Sequence, residues 1–496
     1  MLTRGIRSGA GEVNVISGGV RRLLQNSYIT SALFGAGTRG VSLGAQILAL
    51  LVMAWLLPKA EFGDMMTAFA VYRILSYGIG TGCAAIIVYH VSRQSDDSTE
   101  IRTHRSLALI GFIVGGLMIG TLVLAAPAIG IAVGKPRIAY WLIHLAPFGL
   151  LSTLVTLAGG AYDGRHAINR SIFLVELLPN IVRVFLLGLL FIFGGPAVLI
   201  AYALALAHLV AWLAVLRRLL TSTVSGFYRV TRWDMWFTAR YILHSLLSLQ
   251  LQGIDMVVVG WLFTSNVAAD YAIAGRIAAL FPFFQQIVLK KFAPRCGYLL
   301  AAHDYTALEH EAGVCRSSSV AAVASLTGFL LMIAPLLLRG AGDFASAITM
   351  MVALGAAPYV RSFFAGGETI LRMGGQSGFN LGIMAASFAL VVATPLLLHH
   401  FLGIFSLPLG MVFSALLLNP LIVFRVRRLF GIRLLLPQDW SVLLSGLVIF
   451  AWASRYATQD LSRVLTIGIA IIILGVLGML LHIRPVSPFR LSRPHT

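Results

Sequence analysis

Residues 106–132 read SLALIGFIVGGLMIGTLVLAAPAIGIA, an unbroken run without a single charged side chain. A helix of that length outreaches a hydrocarbon core of roughly 30 Å, so the run is predicted to cross a membrane as one helix. Working outward, comparable runs fall at 31–57, 65–91, 138–161, 171–194 and 197–216, and after a basic connector at 237–263, 268–289, 314–338, 342–364, 378–399, 401–424, 440–457 and 462–483. The expected fold is an all-α polytopic membrane protein with about fourteen transmembrane helices, twelve being the competing count. Composition agrees, with 58% hydrophobic and 11% charged residues. Residues 1–30 show no apolar core leading to a cleavage site, so no signal peptide is expected.

Most Lys and Arg residues lie in the connectors expected on one side, including Arg21, Arg22, Arg217, Arg218, Lys290, Lys291, Arg425, Arg427 and Arg428. Basic residues are retained on the cytoplasmic side during insertion, which places both termini there. The net charge of +19 is scattered over short connectors and carries no reader motif, so nucleic acid is not expected as a partner. Anionic membrane lipid accounts for the charge better. Cys83, Cys296 and Cys315 have neither CxxC nor metal spacing and read as small apolar residues. No metal site, no catalytic set and no GxxxxGK[ST] loop is found, so neither an enzyme nor built-in ATP hydrolysis is expected.

Six arginines interrupt the apolar spans: Arg39, Arg73, Arg183, Arg240, Arg276 and Arg361. Glu176 and Asp255 are the comparably placed carboxylates. Charge at membrane depth is costly and normally faces a bundle interior or a watery cavity, so this excess of cations suits an anionic, phosphate-bearing cargo. Arg240 and Arg361 lie near helix ends, where snorkelling to headgroups competes with a cavity role. Arg39, Arg73 and Arg276 lie deeper. At helical spacing, Arg240, His244, Ser248, Gln252 and Asp255 share one face, as do Glu176, Asn180 and Arg183, and Arg39, Ser42 and Gln46. Gln46, Glu176, Asn180, His244, Ser248, Gln252 and Asp255 are therefore candidate cavity-lining residues. Glu176, Asn180 and Arg183 equally fit a structural polar network. Asp255 is open to neutralising an arginine, carrying a coupling H+ or binding Na+, and the sequence does not choose; no other cofactor is expected.

The chain also reads as two related halves. Ala54-Trp55-Leu56-Leu57 precedes Tyr72-Arg73-Ile74-Leu75, and Gly260-Trp261-Leu262-Phe263 precedes Tyr271 and Gly275-Arg276-Ile277. The expected division is a cytoplasmic segment 1–30, a six-helix lobe 31–219, a linker 220–236, a second parallel six-helix lobe 237–428, and two extra helices with a tail in 429–496.

Arg39-Gly40-Val41, Leu57-Pro58-Lys59-Ala60-Glu61-Phe62-Gly63-Asp64 and Tyr271-Ala272-Ile273-Ala274-Gly275-Arg276-Ile277 resemble bacterial polysaccharide flippases of the multidrug/oligosaccharidyl-lipid/polysaccharide exporter superfamily. The resemblance implies two six-helix lobes that move an isoprenoid-pyrophosphate-linked oligosaccharide between leaflets of the bacterial inner membrane. By motif position it implies Arg39, Arg73 and Arg276 as cavity arginines, to which the polar stripe adds Arg183. It implies Glu61 or Asp64 as a gate, a lipid-tail groove formed by the last two helices, and a polysaccharide polymerase and export machinery as partners. Cation-coupled multidrug export on the same scaffold is the alternative, although residues 31–57 lack the acidic residue common in that branch. A membrane-embedded glycan polymerase or ligase is a third reading, for which the short outer connectors leave little catalytic surface.

Overall fold

The computed structural model describes residues 37–38, 40–93, 97–165, 167–221, 224–248, 253–338, 344–456 and 460–482. Segment 1–30 and Arg39 lie outside the described residues, as does Gln252. The apolar runs become helices because a buried or lipid-facing backbone has no water with which to satisfy its polar groups. In chain order they are α1 (Gly40–Leu56), α2 (Lys59–Arg93), α3 (Asp97–Val133), α4 (Pro136–His144) and α5 (Ala146–Gly164). A short α6 (Ile168–Ser171) runs through a π-helical turn, Ile172–Leu177, into α7 (Leu178–Phe193), followed by α8 (Val198–Thr221).

The second half comprises α9 (Arg232–Ser248), α10 (Ile254–Leu262), α11 (Ser265–Ala278), α12 (Phe283–Ala301), α13 (Tyr305–Leu338), α14 (Ala345–Phe363) and α15 (Gly367–Met373). It ends with α16 (Ser377–Leu402), α17 (Ser406–Phe430), α18 (Asp439–Tyr456) and α19 (Leu461–His482). No strand occurs among the described residues.

By length and apolarity, seven helical runs among the described residues can cross a membrane, or up to ten when three bent pairs each count as one span. This is fewer than the fourteen expected, and part of the difference has a visible cause. Gly378–Phe430 counts as one run of 53 residues, yet it folds back: Ser387 meets Ser414, and Gly410 packs on Thr394 across an antiparallel pair. The bent pairs arise at helix breaks of 49° between α4 and α5, 41° between α11 and α12, and 52° between α14 and α15.

The axis of the molecule is α2. Along it, in the opposite sense, run α9 and α10: Gly82 faces Ile242, Gly253 faces Ile74, and Gly260 faces Thr67. The approach is tight, since a Cβ on Gly260 would stand 2.1 Å from Thr67 Cγ2. This seam joins the two halves of the chain over most of their depth. On the far side of the second half, α19 packs along α13, where a Cβ on Gly328 would lie 2.5 Å from the Gly468 carbonyl oxygen. A buried ion pair, Arg316 to Asp439 at 3.2 Å, ties α13 to the start of α18.

Between α8 and α9 the connector is strapped across the starts of α3 and α9. Arg102 Nε donates to the Ser225 carbonyl at 3.0 Å, and Ser106 Oγ to the Tyr228 carbonyl at 2.9 Å. Arg105 donates to the carbonyls of Leu219 and Val224. Thr231 and Asp234 cap α9 reciprocally, Thr231 N–H donating to Asp234 at 2.8 Å and Asp234 N–H to Thr231 Oγ1 at 3.2 Å. His90, near the end of α2, reaches the same carboxylate at 2.9 Å.

Burial raises the Asp234 pKa, but the hydrogen bonds from Thr231 and His90 outweigh it and leave the group below its ordinary value. A depressed carboxylate stabilises the fold above its unfolded pKa and loses that contribution as pH falls through the folded one. The strap should therefore hold at neutral pH and loosen below about pH 4. Asp234→Asn should reproduce the loosening at pH 7, at a cost of about 1 kcal/mol. Limited proteolysis of the 224–231 connector across pH is the measurement; identical cleavage of the variant and the parent would remove this role.

Candidate functional site

Arg73 sits about 21 Å along the axis from the first residue of α2, near the middle of a bilayer-spanning length. Four residues earlier on the same face is Phe69. The Phe69 ring, 5% exposed, meets a guanidinium from each half of the chain. Arg183 of α7 places its Cζ 6.0 Å from the ring centroid, and Arg276 of α11 places its Cζ 5.8 Å away. Phe148 stacks on the ring at 4.8 Å with an interplanar angle of 21°. His208 in turn stands edge-on to Phe148 at 5.0 Å.

Arg183 is 8% exposed, and its Nε has no hydrogen-bond partner among the described residues. Arg73 is half-buried, within electrostatic range of both Arg183 and Asp255. Asp255 accepts a 2.7 Å hydrogen bond from the Tyr271 hydroxyl. Arg183 and Arg276 thus meet over one aromatic ring, with Arg73 within electrostatic range of Arg183 and of Asp255. Among the described residues, no carboxylate forms an ion pair with Arg183 or Arg276. Guanidinium groups can bind an anion through paired hydrogen bonds, and their planar forks match phosphate oxygens.

The other sequence candidates divide. Asn180 and Ser42 form a network across α7 and α1: Asn180 Nδ2 donates to Ser42 Oγ at 2.8 Å, and both side chains donate to the Glu176 carbonyl. A π-helical turn leaves backbone groups out of α register, and here the released Glu176 carbonyl finds side-chain donors. The Glu176 side chain and Gln46 are half-buried. Arg240 is exposed and lies over Trp236 at 5.0 Å, as snorkelling anticipates. Arg361 is half-buried near the α14–α15 bend, within electrostatic range of Glu368.

The expected stripe from Arg240 to Asp255 does not lie along one described helix. Asp255 belongs to the first turn of α10, after Gly253, whose backbone is non-helical (φ 173°, ψ −27°). The break sits where the chain presses against α2, a Cβ on Gly253 lying 3.1 Å from Ile74 Cγ1. His244 and Ser248 are on α9, their side chains outside the described residues, and Gln252 falls wholly outside them.

The two gate candidates also separate. Glu61 pairs within its own half with Arg137 at 3.4 Å. Asp64 crosses to the other half, accepting from Ser265 Oγ at 2.5 Å. Around that contact Lys59 pairs with Asp270 at 2.9 Å, Ser346 donates to the same carboxylate, and Lys135 donates to the carbonyls of Gly260 (2.7 Å) and Phe263. Burial pulls the Lys135 ammonium below the usual lysine range, and Asp64 partly offsets that. Phe62 meets Phe344 edge-on at 6.1 Å, with Lys59 over the same Phe344 ring at 5.1 Å. This end of α2 is closed against α10, α11 and α14.

Sequence reading passed over Phe69, Phe148, Tyr271 and His208 as site residues. An aromatic in an apolar run carries no signal of its own, and the available one was the four-residue spacing from Phe69 to Arg73.

The fold is shared with known proteins. An inward-facing multidrug resistance MATE family transporter of the MOP superfamily superposes with TM-score 0.63 at 16% identity, covering 79% of this chain and 94% of that one. An outward-facing MATE structure gives 0.56 at 17% identity, covering 81% and 95%. A MOP superfamily transporter from Pyrococcus furiosus gives 0.54 at 15% identity, covering 81% and 94%. The chain therefore has the MATE-like fold and is a multi-pass membrane protein. A search of curated proteins returned no match. The family model described as "Polysaccharide biosynthesis protein" matches residues 31–287, more than half of the sequence, and the chain belongs to that family.

Proposed function

We propose that the protein is a flippase that carries an isoprenoid-pyrophosphate-linked oligosaccharide from the cytoplasmic to the outer leaflet of a bacterial inner membrane, with both termini in the cytoplasm. The observation that carries this reading is the convergence of Arg183 and Arg276 on Phe69, with Arg73 close to Arg183, near mid-depth. An ionised pyrophosphate left unsolvated in hydrocarbon would cost tens of kcal/mol in the idealised limit, so the protein must replace its water. Guanidinium forks do this and remain charged at working pH. The isoprenoid tail stays in the bilayer while the headgroup passes between two lobes, 31–219 and 237–428, by alternating access. With the cytoplasm negative, outward movement of anionic charge is favoured by about 2.3 kcal/mol per charge per 100 mV.

The structure from Pyrococcus furiosus is described as having a binding pocket of reverse polarity that suggests a different function within the MOP superfamily. In the present chain the arginines supply a cationic centre, which suits a sugar pyrophosphate, whereas a cation-coupled exporter of amphipathic compounds, the alternative, has no need of one. A polysaccharide polymerase and export machinery would draw off the product. Covalent chemistry is not part of this reading.

The test uses purified protein in vesicles holding a fluorescent isoprenoid-pyrophosphate oligosaccharide. The glycan should become accessible to an impermeant glycosidase in the opposite leaflet, with the glycolipid otherwise intact. Glycolipid that stays in its leaflet while an amphipathic cation is expelled would replace this function with drug export; a new glycosidic bond would replace it with polymerisation.

A further inference from the structure

We infer that Phe69 is a positioning residue for the cargo's headgroup: its ring holds Arg183 and Arg276 side by side, so that together they clamp a diphosphate in preference to a monophosphate. This rests on the flippase reading and extends it to a residue that carries no charge.

Two guanidinium ions brought together without a carboxylate between them repel each other, and each would take any rotamer that separates them. Something must oppose that. An aromatic face carries the negative end of the ring quadrupole and attracts cations within about 6 Å of its centroid, more strongly where water is excluded. Both arginines satisfy that distance, and the ring is buried. Phe148 stacks on one side of Phe69, which leaves the opposite face to the cations. His208 meets Phe148 edge-on, so the ring is braced from behind.

Because Arg183 belongs to α7 and Arg276 to α11, the ring also gathers donors from both halves of the chain at one point. Two forks gathered over one ring would offer two anion positions. A diphosphate fills both, whereas a monophosphate satisfies one fork and leaves the other unpaired.

The test titrates the full-length protein in detergent with geranyl diphosphate and geranyl monophosphate, using calorimetry. The parent should prefer the diphosphate. Phe69→Leu should weaken diphosphate binding about tenfold and bring the two ligands closer together. Phe69→Tyr, which keeps the ring, should remain within about threefold of the parent. In an Arg276→Gln background Phe69→Leu should add little, because the clamp is already broken. If Phe69→Leu does not fold, a fluorinated phenylalanine at position 69 keeps the shape and weakens the quadrupole, and the same loss is expected. Unchanged diphosphate preference in Phe69→Leu or the fluorinated protein, with binding still lost in Arg183→Gln and Arg276→Gln, overturns the role of Phe69 and leaves the arginine site standing. Full binding in the arginine variants overturns both.

Discussion

Vesicles containing the Arg73→Gln, Arg183→Gln, Arg276→Gln triple variant should show no glycolipid translocation above protein-free background. A hydrogen bond to a charged partner contributes roughly 1.5–3 kcal/mol, so losing three such donors removes at least about 5 kcal/mol from the bound headgroup. That is more than a thousandfold in affinity. Glutamine is shorter but keeps a polar, uncharged amide, so the site stays polar while its charge disappears. The arginines also repel one another, and their removal should leave the helices at least as stable, which thermal melting in detergent checks. Single variants should lose about ten- to a hundredfold each, with Arg183→Gln severe because its donors are buried and already desolvated. Arg240→Gln should change little, since that side chain lies exposed over Trp236. Translocation by the triple variant at the parent's rate would sink the cationic-cavity reading altogether.

How much of this was legible beforehand follows from the range of the interactions involved. Helices were legible because a lipid-facing backbone leaves little choice, and Arg73, Arg183 and Arg276 do fall within described helices, as their place in apolar runs implied. Periodicity on one helix gave the Asn180–Glu176 relation, and the Ser42 stripe on α1 does meet it. Continuity was the weak assumption. A stripe from Arg240 to Asp255 requires an unbroken helix, and the backbone at Gly253 is non-helical where it packs against Ile74, a contact far away in sequence. The same limit hid the closed end of α2. Asp64 was a gate candidate, yet nothing local reveals that Ser265 is its partner or that Lys59 belongs to Asp270. Phe69 was hidden for a different reason, because its importance comes from the cations over it and not from its own polarity.

The closed end of α2 leads to the second large effect. Asp270→Asn should shift the protein towards a state in which this end is open. Asp270 is nearly buried and joins Lys59 of one half to Ser346 of the other, so one carboxylate neutralised there weakens two contacts at once. The pair is only partly shielded, with Lys59 25% exposed, and its loss is expected to cost about 2 kcal/mol, between exposed and buried pairs. That is roughly a thirtyfold change in the ratio of closed to open forms. Thr67 lies behind this latch, packed on Gly260 and 5% exposed, and offers a reporter. With Cys83, Cys296 and Cys315 replaced by alanine, Thr67→Cys should react slowly with a hydrophilic maleimide, and adding Asp270→Asn should accelerate the reaction by a comparable factor. Lys59→Met should act in the same direction, and the charge exchange Lys59→Asp with Asp270→Lys should recover part of the protection. A residual closed population is expected even then, because Asp64 still accepts from Ser265 and Lys135 still reaches the α10 carbonyls. Equal labelling rates with and without Asp270→Asn would show that apolar packing of Phe62 against Phe344, and not the ion pair, keeps this end shut.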